Sequence, residues 1–176
     1  GASRRMGRDK ARLPWAGGTL LEHVVATVAA VATPVQVVAA AGKYADLGLA
    51  TLADRRAEQG PLGGIESILA TTETDWNLIV ACDMPWLTKE WLAELVAATD
   101  AEAWVVCARH PTRGPSPLCG VWHRRALPEV QRFLDDKVFR VRSLVEILPV
   151  KYCVPADPRV LTNCNEPADW PGDVAE

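Results

Sequence analysis

The chain has 176 residues, which at roughly 150 residues per domain argues for one domain over residues 1–176. Apolar residues make up 49% and charged residues 23%, a balance that excludes a disordered tail protein. The formal charge of −3 argues against nucleic-acid binding, and no apolar stretch approaches the roughly 18 residues a membrane helix needs.

Residues 19–31 place Leu20, Val24, Val25, Val28 and Val31 near helical spacing and predict an amphipathic helix. Pro34 stops it, and residues 35–40 form a short apolar run ending near Gly42, which reads as a strand. A second short strand is predicted over 49–53, ending at Asp54. The glycine-rich stretch 60–64 reads as a turn, with helical periodicity over 65–70 behind it. Residues 76–82 are the most apolar continuous run, and Asp83, Met84 and Pro85 end it. A helix is predicted over 87–98, entered through Thr88 as N-cap, with Trp91, Leu92, Leu95 and Val96 inward. Strands over 103–108 and 118–122, helices over 124–134 and 140–148, and a strand over 151–154 complete the series.

Strands separated by helix-length segments predict βαβ units and a mostly parallel sheet. The run 78–81 is apolar on both faces, as a sheet covered by helices requires. The fold class is therefore α/β with three layers, and the site is expected at the carboxyl ends of the strands. The five cysteines form no Cys-x-x-Cys pair, so neither a zinc site nor a disulfide framework is predicted. Reduced thiols and no apolar run behind the basic first residues imply a cytoplasmic protein.

The first ten residues combine Gly1, Ala2, Ser3, Arg5, Gly7 and Lys10. Glycines let a backbone approach a ligand closely, and the hydroxyl, amides and cations all donate to anionic oxygens. In composition this is a phosphate cradle, though not the GxxxxGK[ST] loop; a solvated basic N-terminus is the plain alternative. Asp83, at the end of an apolar run, reads either as a metal-binding carboxylate or as a strand-end turn residue. Gly60-Pro-Leu-Gly-Gly64 is either a ligand-reading loop or a tight turn opening a helix. Asn163 and Asn165 lie two apart, on one side of an extended segment, and Asn165 also suits an N-cap ahead of Pro167. His23, His110 and His123 read as surface or packing residues, and Lys137, Arg140 and Arg142 as a solvated helix face.

Taken together, four segments resemble the molybdenum cofactor guanylyltransferase family, that is, MobA-like nucleotidyltransferases. Gly1-Ala-Ser-x-Arg-Met-Gly-x-Asp-Lys10 is similar to the signature GGxSxRMGxDK, and Gly60-Pro-Leu-Gly-Gly-Ile65 to the GPLAGI loop. Cys82-Asp-Met-Pro85 resembles the CDxP motif, and Asn163-Cys-Asn-Glu-Pro167 the NxNTPE segment, with Glu166 where the family usually has Thr. The order and spacing match over nearly the whole chain. The resemblance implies a Rossmann-like nucleotidyltransferase fold. It also implies a central strand ahead of Gly1, so a segment upstream of this sequence is expected.

The function implied is transfer of GMP from GTP to Mo-molybdopterin with release of pyrophosphate. Lys10 and Arg5 would contact the triphosphate, and Asp83 would hold Mg²⁺. Gly1, Ala2, Ser3, Asp54, Gly60, Pro61, Leu62 and Gly63 would line the nucleotide, and Asn163 and Asn165 the pterin side. Molybdenum-insertion proteins or apo-molybdoenzymes would be transient partners. Rival readings are a cytidylyltransferase on the same pterin and a catalytically silent nucleotide- or cofactor-binding module. The Gly60–Gly64 segment favours guanine over the first rival, and retention of both Lys10 and Asp83 argues against the second.

Overall fold

The computed structural model describes residues 9–164 of the chain. A short antiparallel pair, β1 (Pro14–Trp15) and β2 (Gly18–Thr19), leads directly into helix α1 (Leu20–Ala29). The hydroxyl of Thr19 accepts from the Glu22 amide at 3.2 Å, and the Glu22 carboxylate accepts from the Thr19 amide at 2.8 Å. This capping box satisfies amide groups that the first helical turn would otherwise leave unpaired. Residues 31–59 carry β3 (Val37–Val38) and β4 (Thr51–Leu52), which pair in parallel with each other.

Helix α2 (Gly60–Thr71) follows and packs against both β3 and β5 (Trp76–Val80). Its opening residues are the Gly60–Gly64 segment, which is therefore helix and not a preceding turn. Leu62, Ile65 and Leu69 are each at most 1% exposed, and burying that stripe outweighs the poor helix propensity of three glycines and a proline. Pro61 sits in the first turn, where a missing amide costs nothing. Helix α3 (Lys89–Ala97) starts at Thr88, whose hydroxyl accepts from the Trp91 amide at 3.2 Å.

Among the described residues the main sheet has four strands in the order β5-β7-β6-β8, with β6 (Val105–His110), β7 (Gly114–His123) and β8 (Val150–Cys153). Between β7 and β8 lie a 3₁₀ turn, Arg124–Ala126, and helices α4 (Leu127–Asp135) and α5 (Val141–Val145). Here the expectation of a mostly parallel sheet needs correction, because the sheet is mixed. β5, β6 and β8 share one direction, but β7 runs against both of its neighbours, so among the described residues β6–β8 is the one parallel pair in this sheet. The cause is local: only residues 111–113 join β6 to β7, too few for a parallel crossover and enough for a hairpin. Among the described residues, β5 pairs with β7 alone.

Alternation along β6 sorts the interior into two layers. Val105 and Cys107 face α2, α4 and α5, joining Trp122, Val130, Phe133 and Leu144. Val106 and Ala108 face the other way, onto Trp91, Leu92 and Leu95 of α3, with Val28 of α1 at the border. The sheet is thus covered on both faces, giving the three layers that the apolar run in β5 predicts.

Candidate active site

Strand β5 delivers Asp83 to the carboxyl end of the sheet. Its last ladder bond runs from the Ala81 amide to the Leu118 carbonyl at 2.7 Å, after which the chain leaves the sheet. Met84 then drops into the α3 side of the core at 2% exposure, which fixes the backbone on either side of it. The Pro85 carbonyl lies 3.0 Å from Nε2 of His23 on α1, so one of the three histidines steadies the loop behind Asp83. His123 and His110 serve turns: their Nδ1 atoms accept from the amides of Arg125 and of Thr112 and Arg113.

A second segment closes over Asp83. The 3₁₀ turn Pro158–Leu161 buries Val160 and Leu161, and the chain then reaches Asn163. Asn163 Nδ2 donates to Asp83 Oδ1 at 3.1 Å, and the Cys164 amide donates to the Asp83 carbonyl at 2.8 Å. Burial pushes the Asp83 carboxyl above the ordinary aspartate value, against the hydrogen bond from Asn163 and the positive charge of Lys10, both of which favour the carboxylate. Lys10 and Asp83 therefore act on one another in the same region.

Lys10 opens the 3₁₀ turn Lys10–Arg12, and Asp9 builds that turn. Its Oδ1 accepts from the Ala11 amide at 3.2 Å, while Oδ2 accepts from Lys43 Nζ at 3.0 Å and from the Tyr44 hydroxyl at 3.1 Å. Partial burial raises the Asp9 pKa, but the bonds from Lys43 and Tyr44 outweigh it and hold the carboxyl below its usual value. Arg12 grips Asp46 with both terminal nitrogens, at 2.6 and 2.8 Å, and the Lys43 carbonyl at 2.9 Å. The whole turn is thereby sewn to residues 43–46.

On the other side, Asp54 follows β4 and is exposed, and Oδ1 stands 3.9 Å from where a Cβ on Gly64 would lie. Gly60 and Pro61 are exposed at the start of α2, whereas the Leu62 side chain is in the core, leaving only its backbone for a ligand. A Cβ on Gly63 would come within 2.8 Å of Gln59 Cβ, so glycine is needed there for the helix start to close. The structure thus pairs Asp83 with Asn163 within reach of the charge of Lys10, and separately sets Asp54 beside Gly64 in the glycine-rich start of α2. Gly1, Ala2, Ser3, Arg5 and Asn165 lie outside the described residues. Arg140 and Arg142 are exposed, as expected of a solvated face.

Sequence reasoning missed several supporting residues. Asp9 and Tyr44 as anchors of Lys10 left no signal beyond the motif aspartate. Trp86, 38% exposed and edge-on to Trp15 with ring centroids 5.1 Å apart, extends an aromatic cluster beside the Asp83 loop. Glu66 and Ser67, at 2% and 0% exposure, lie in the 65–70 run, which reads from sequence only as helix.

Residues 1–151 match the model of the MobA-like NTP transferase domain. The chain belongs to that family. MobA-like relatives named "Probable molybdenum cofactor guanylyltransferase" include one from Deinococcus radiodurans, 36% identical over 96% of this chain and 87% of its own length. One from Nostoc is 34% identical over 96% of this chain and 84% of its own. Among solved structures, a molybdopterin-guanine dinucleotide biosynthesis protein A from Archaeoglobus fulgidus superposes with a TM-score of 0.78 at 22% identity, covering 96% of this chain and 90% of that one. A 2-C-methyl-D-erythritol 4-phosphate cytidylyltransferase from Thermus thermophilus follows at TM-score 0.68 and 17% identity, covering 91% and 89%. At such identities these likenesses speak for the nucleotidyltransferase fold, which this MobA-like chain shares.

Proposed function

We propose that this chain transfers the GMP moiety of GTP to Mo-molybdopterin, forming the guanine dinucleotide cofactor and releasing pyrophosphate. The observation that supports the reading is Asp83, half-desolvated past the end of β5, hydrogen-bonded by Asn163 and under the positive charge of Lys10. The names of the relatives, which span most of this chain, supply the substrates.

The residues fit a divalent cation. Among the described residues no cluster of three or more His, Cys, Asp or Glu could hold a metal by itself. Mg²⁺ needs no such cluster, since one or two carboxylates plus substrate phosphates commonly hold it. Asp83 offers a partly desolvated carboxylate, oriented by Asn163, whose burial is a cost that a bound cation would offset. Mg²⁺, when bound there, would neutralise charge on the triphosphate.

The rest of the chemistry falls to the chain and its substrates. A phosphate monoester, with its second pKa near 6, is mostly dianionic at neutral pH, so the terminal phosphate of molybdopterin needs no general base. Its oxygen attacks the α-phosphorus of GTP, the bond to the α,β-bridging oxygen breaks, and pyrophosphate leaves with that electron pair. Lys10, held by the Asp9 turn, stabilises charge developing on the phosphoryl oxygens from a fixed position. Arg5 joins it in this reading. Asp54 and the backbone of Gly60–Gly63 take the nucleoside, and Asn163 with Asn165 the pterin side. A cytoplasmic setting, with molybdenum-insertion proteins or apo-molybdoenzymes as transient partners, belongs to the same proposal.

The test is pyrophosphate release with Mg²⁺ and Mo-molybdopterin, compared across GTP, CTP and ATP. Preference for GTP is expected. Preference for CTP would transfer the reading to a cytidylyltransferase, and tight GTP binding without release would make the chain a binding module.

A further inference from the structure

Among the described residues only two polar side chains are deeply buried, and they are consecutive on α2: Glu66 at 2% exposure and Ser67 at 0%. Burying polar groups is costly unless they are hydrogen-bonded, so their partners show what the burial achieves. The Ser67 hydroxyl donates to the Gly63 carbonyl at 2.9 Å and accepts from the backbone amide of Arg55 at 2.8 Å. Glu66 Oε1 stands 3.7 Å from Arg55 Nε and accepts from Gln131 Nε2 on α4 at 3.4 Å. Its other oxygen is buried without a partner. Both side chains therefore converge on Arg55, one through its backbone and the other through its guanidinium. Arg56 continues the attachment, donating to Asp135 at the end of α4 at 2.6 Å. The turn 54–56 is tied to both helices, and the residue it begins with is Asp54.

We propose that Glu66 and Ser67 are positioning residues for nucleotide recognition: by fixing Arg55 they hold Asp54 against the glycine-rich start of α2 as one preformed edge. This rests on the reading of Asp54 and Gly60–Gly63 as the nucleoside side of the site. Holding the turn in advance spares the ordering cost that a loose turn would incur each time a nucleotide bound. The pair acts through Arg55 and touches no reacting atom. A purely structural pair between α2 and α4 would lower stability without distinguishing one end of the nucleotide from the other.

The test uses the whole chain with Mg²⁺. Affinity for GTP and for inorganic tripolyphosphate is measured by calorimetry, and KM for GTP and kcat by pyrophosphate release. Glu66→Gln keeps the shape and removes the charge, Arg55→Ala removes its partner, and Ser67→Ala removes the backbone contact. Each is expected to weaken GTP roughly threefold to tenfold with kcat at saturation within about twofold, while tripolyphosphate binding stays put. The Glu66→Gln/Arg55→Ala double variant is expected to bind GTP no worse than the weaker single variant. Unchanged GTP affinity in Glu66→Gln, simple additivity in the double variant, or parallel loss of GTP and tripolyphosphate with a lower Tm would each overturn the proposal. Failure of the unsubstituted chain to bind GTP or release pyrophosphate would instead remove the functional reading beneath it.

Discussion

In the proposed reading, Asp83 sets stability against chemistry. Its folded pKa is raised by burial, so the ionised form destabilises the fold at neutral pH, and that penalty disappears as pH falls toward the ordinary aspartate value of 3.8. Asp83→Asn removes the charge while leaving an oxygen for Asn163 to donate to. In the metal-free protein this variant is expected to melt at a higher temperature than the unsubstituted chain at pH 7, with the gap closing in acid. Turnover is expected to fall by about a hundredfold or more, the usual scale for losing a preorganised charge at a reacting centre. A variant that melts lower at every pH would contradict the account. Asp9 has the opposite sign: its folded pKa is depressed, so its ties to Lys43 and Tyr44 are fully present above the ordinary value and fade only as pH falls through the lower, folded one. Tyr44→Phe deletes one of those ties and is expected to cost about 1 kcal/mol in a denaturant titration. It is also expected to weaken tripolyphosphate binding, because Lys10 loses part of its footing. Lys10, Asp83 and Asn163 were legible because short motifs carry them, but the hydrogen bond between positions 83 and 163 spans 80 residues and only the folded chain forms it. Glu66 and Ser67 sit in the 65–70 run, which reads only as helix, and their shared partner Arg55 comes from a preceding turn that no local pattern ties to them.

The starts of α1 and α3 were easy to read and strand partners were not. Thr19 and Thr88 cap α1 and α3 through contacts three residues away, within the range over which sequence acts locally. The Gly60–Gly64 segment reads as a turn on propensity alone, and tertiary packing of Leu62 and Ile65 makes it helical. β7 reads as one more strand of a parallel series, since alternation of strands and helices says nothing of a hairpin inside it. Its register against β6 shifts between Cys107 and Ala108, placing an irregularity opposite the stretch that also pairs with the end of β5. Gly120 lies just beyond this irregularity. A Cβ there would come within 2.6 Å of the Val106 carbonyl oxygen, and neither strand of the central pair can retreat without breaking its ladder. Gly120→Ala is therefore expected to cost roughly 1–3 kcal/mol, read as a lower urea midpoint with an unchanged slope. A midpoint equal to that of the unsubstituted chain would show that the sheet yields at this point.

The molecule as a whole is unevenly consolidated. β6 is bonded on both edges and contributes four consecutive side chains at 0% exposure, two to each layer of the core. The β3–β4 pair is two residues long on each strand and only half-buried, and it is held by few bonds, among them Val37 N to Ala50 O at 2.8 Å and Ala39 N to Leu52 O at 3.0 Å. Between β3 and β4 lie the residues 43–46 that anchor Lys10, and Asp54 follows β4. Among the described residues, the groups assigned to the nucleotide thus stand on a thinly held part of the chain, whereas Asp83 follows β5, a five-residue strand of the main sheet. Local opening draws on weakly packed regions, and a ligand that binds only the closed form stabilises it by mass action. Native-state hydrogen exchange is expected to show the amides of β6 opening with close to the global free energy and those of Val37 and Ala39 opening well below it. Saturating GTP with Mg²⁺ at a hundred times its Kd is expected to raise the second value by up to about 2.7 kcal/mol, provided that opening there abolishes binding. Protection of Val37 and Ala39 unchanged by GTP, in a chain shown to bind it, would mean that β3 and β4 take no part in holding the nucleotide.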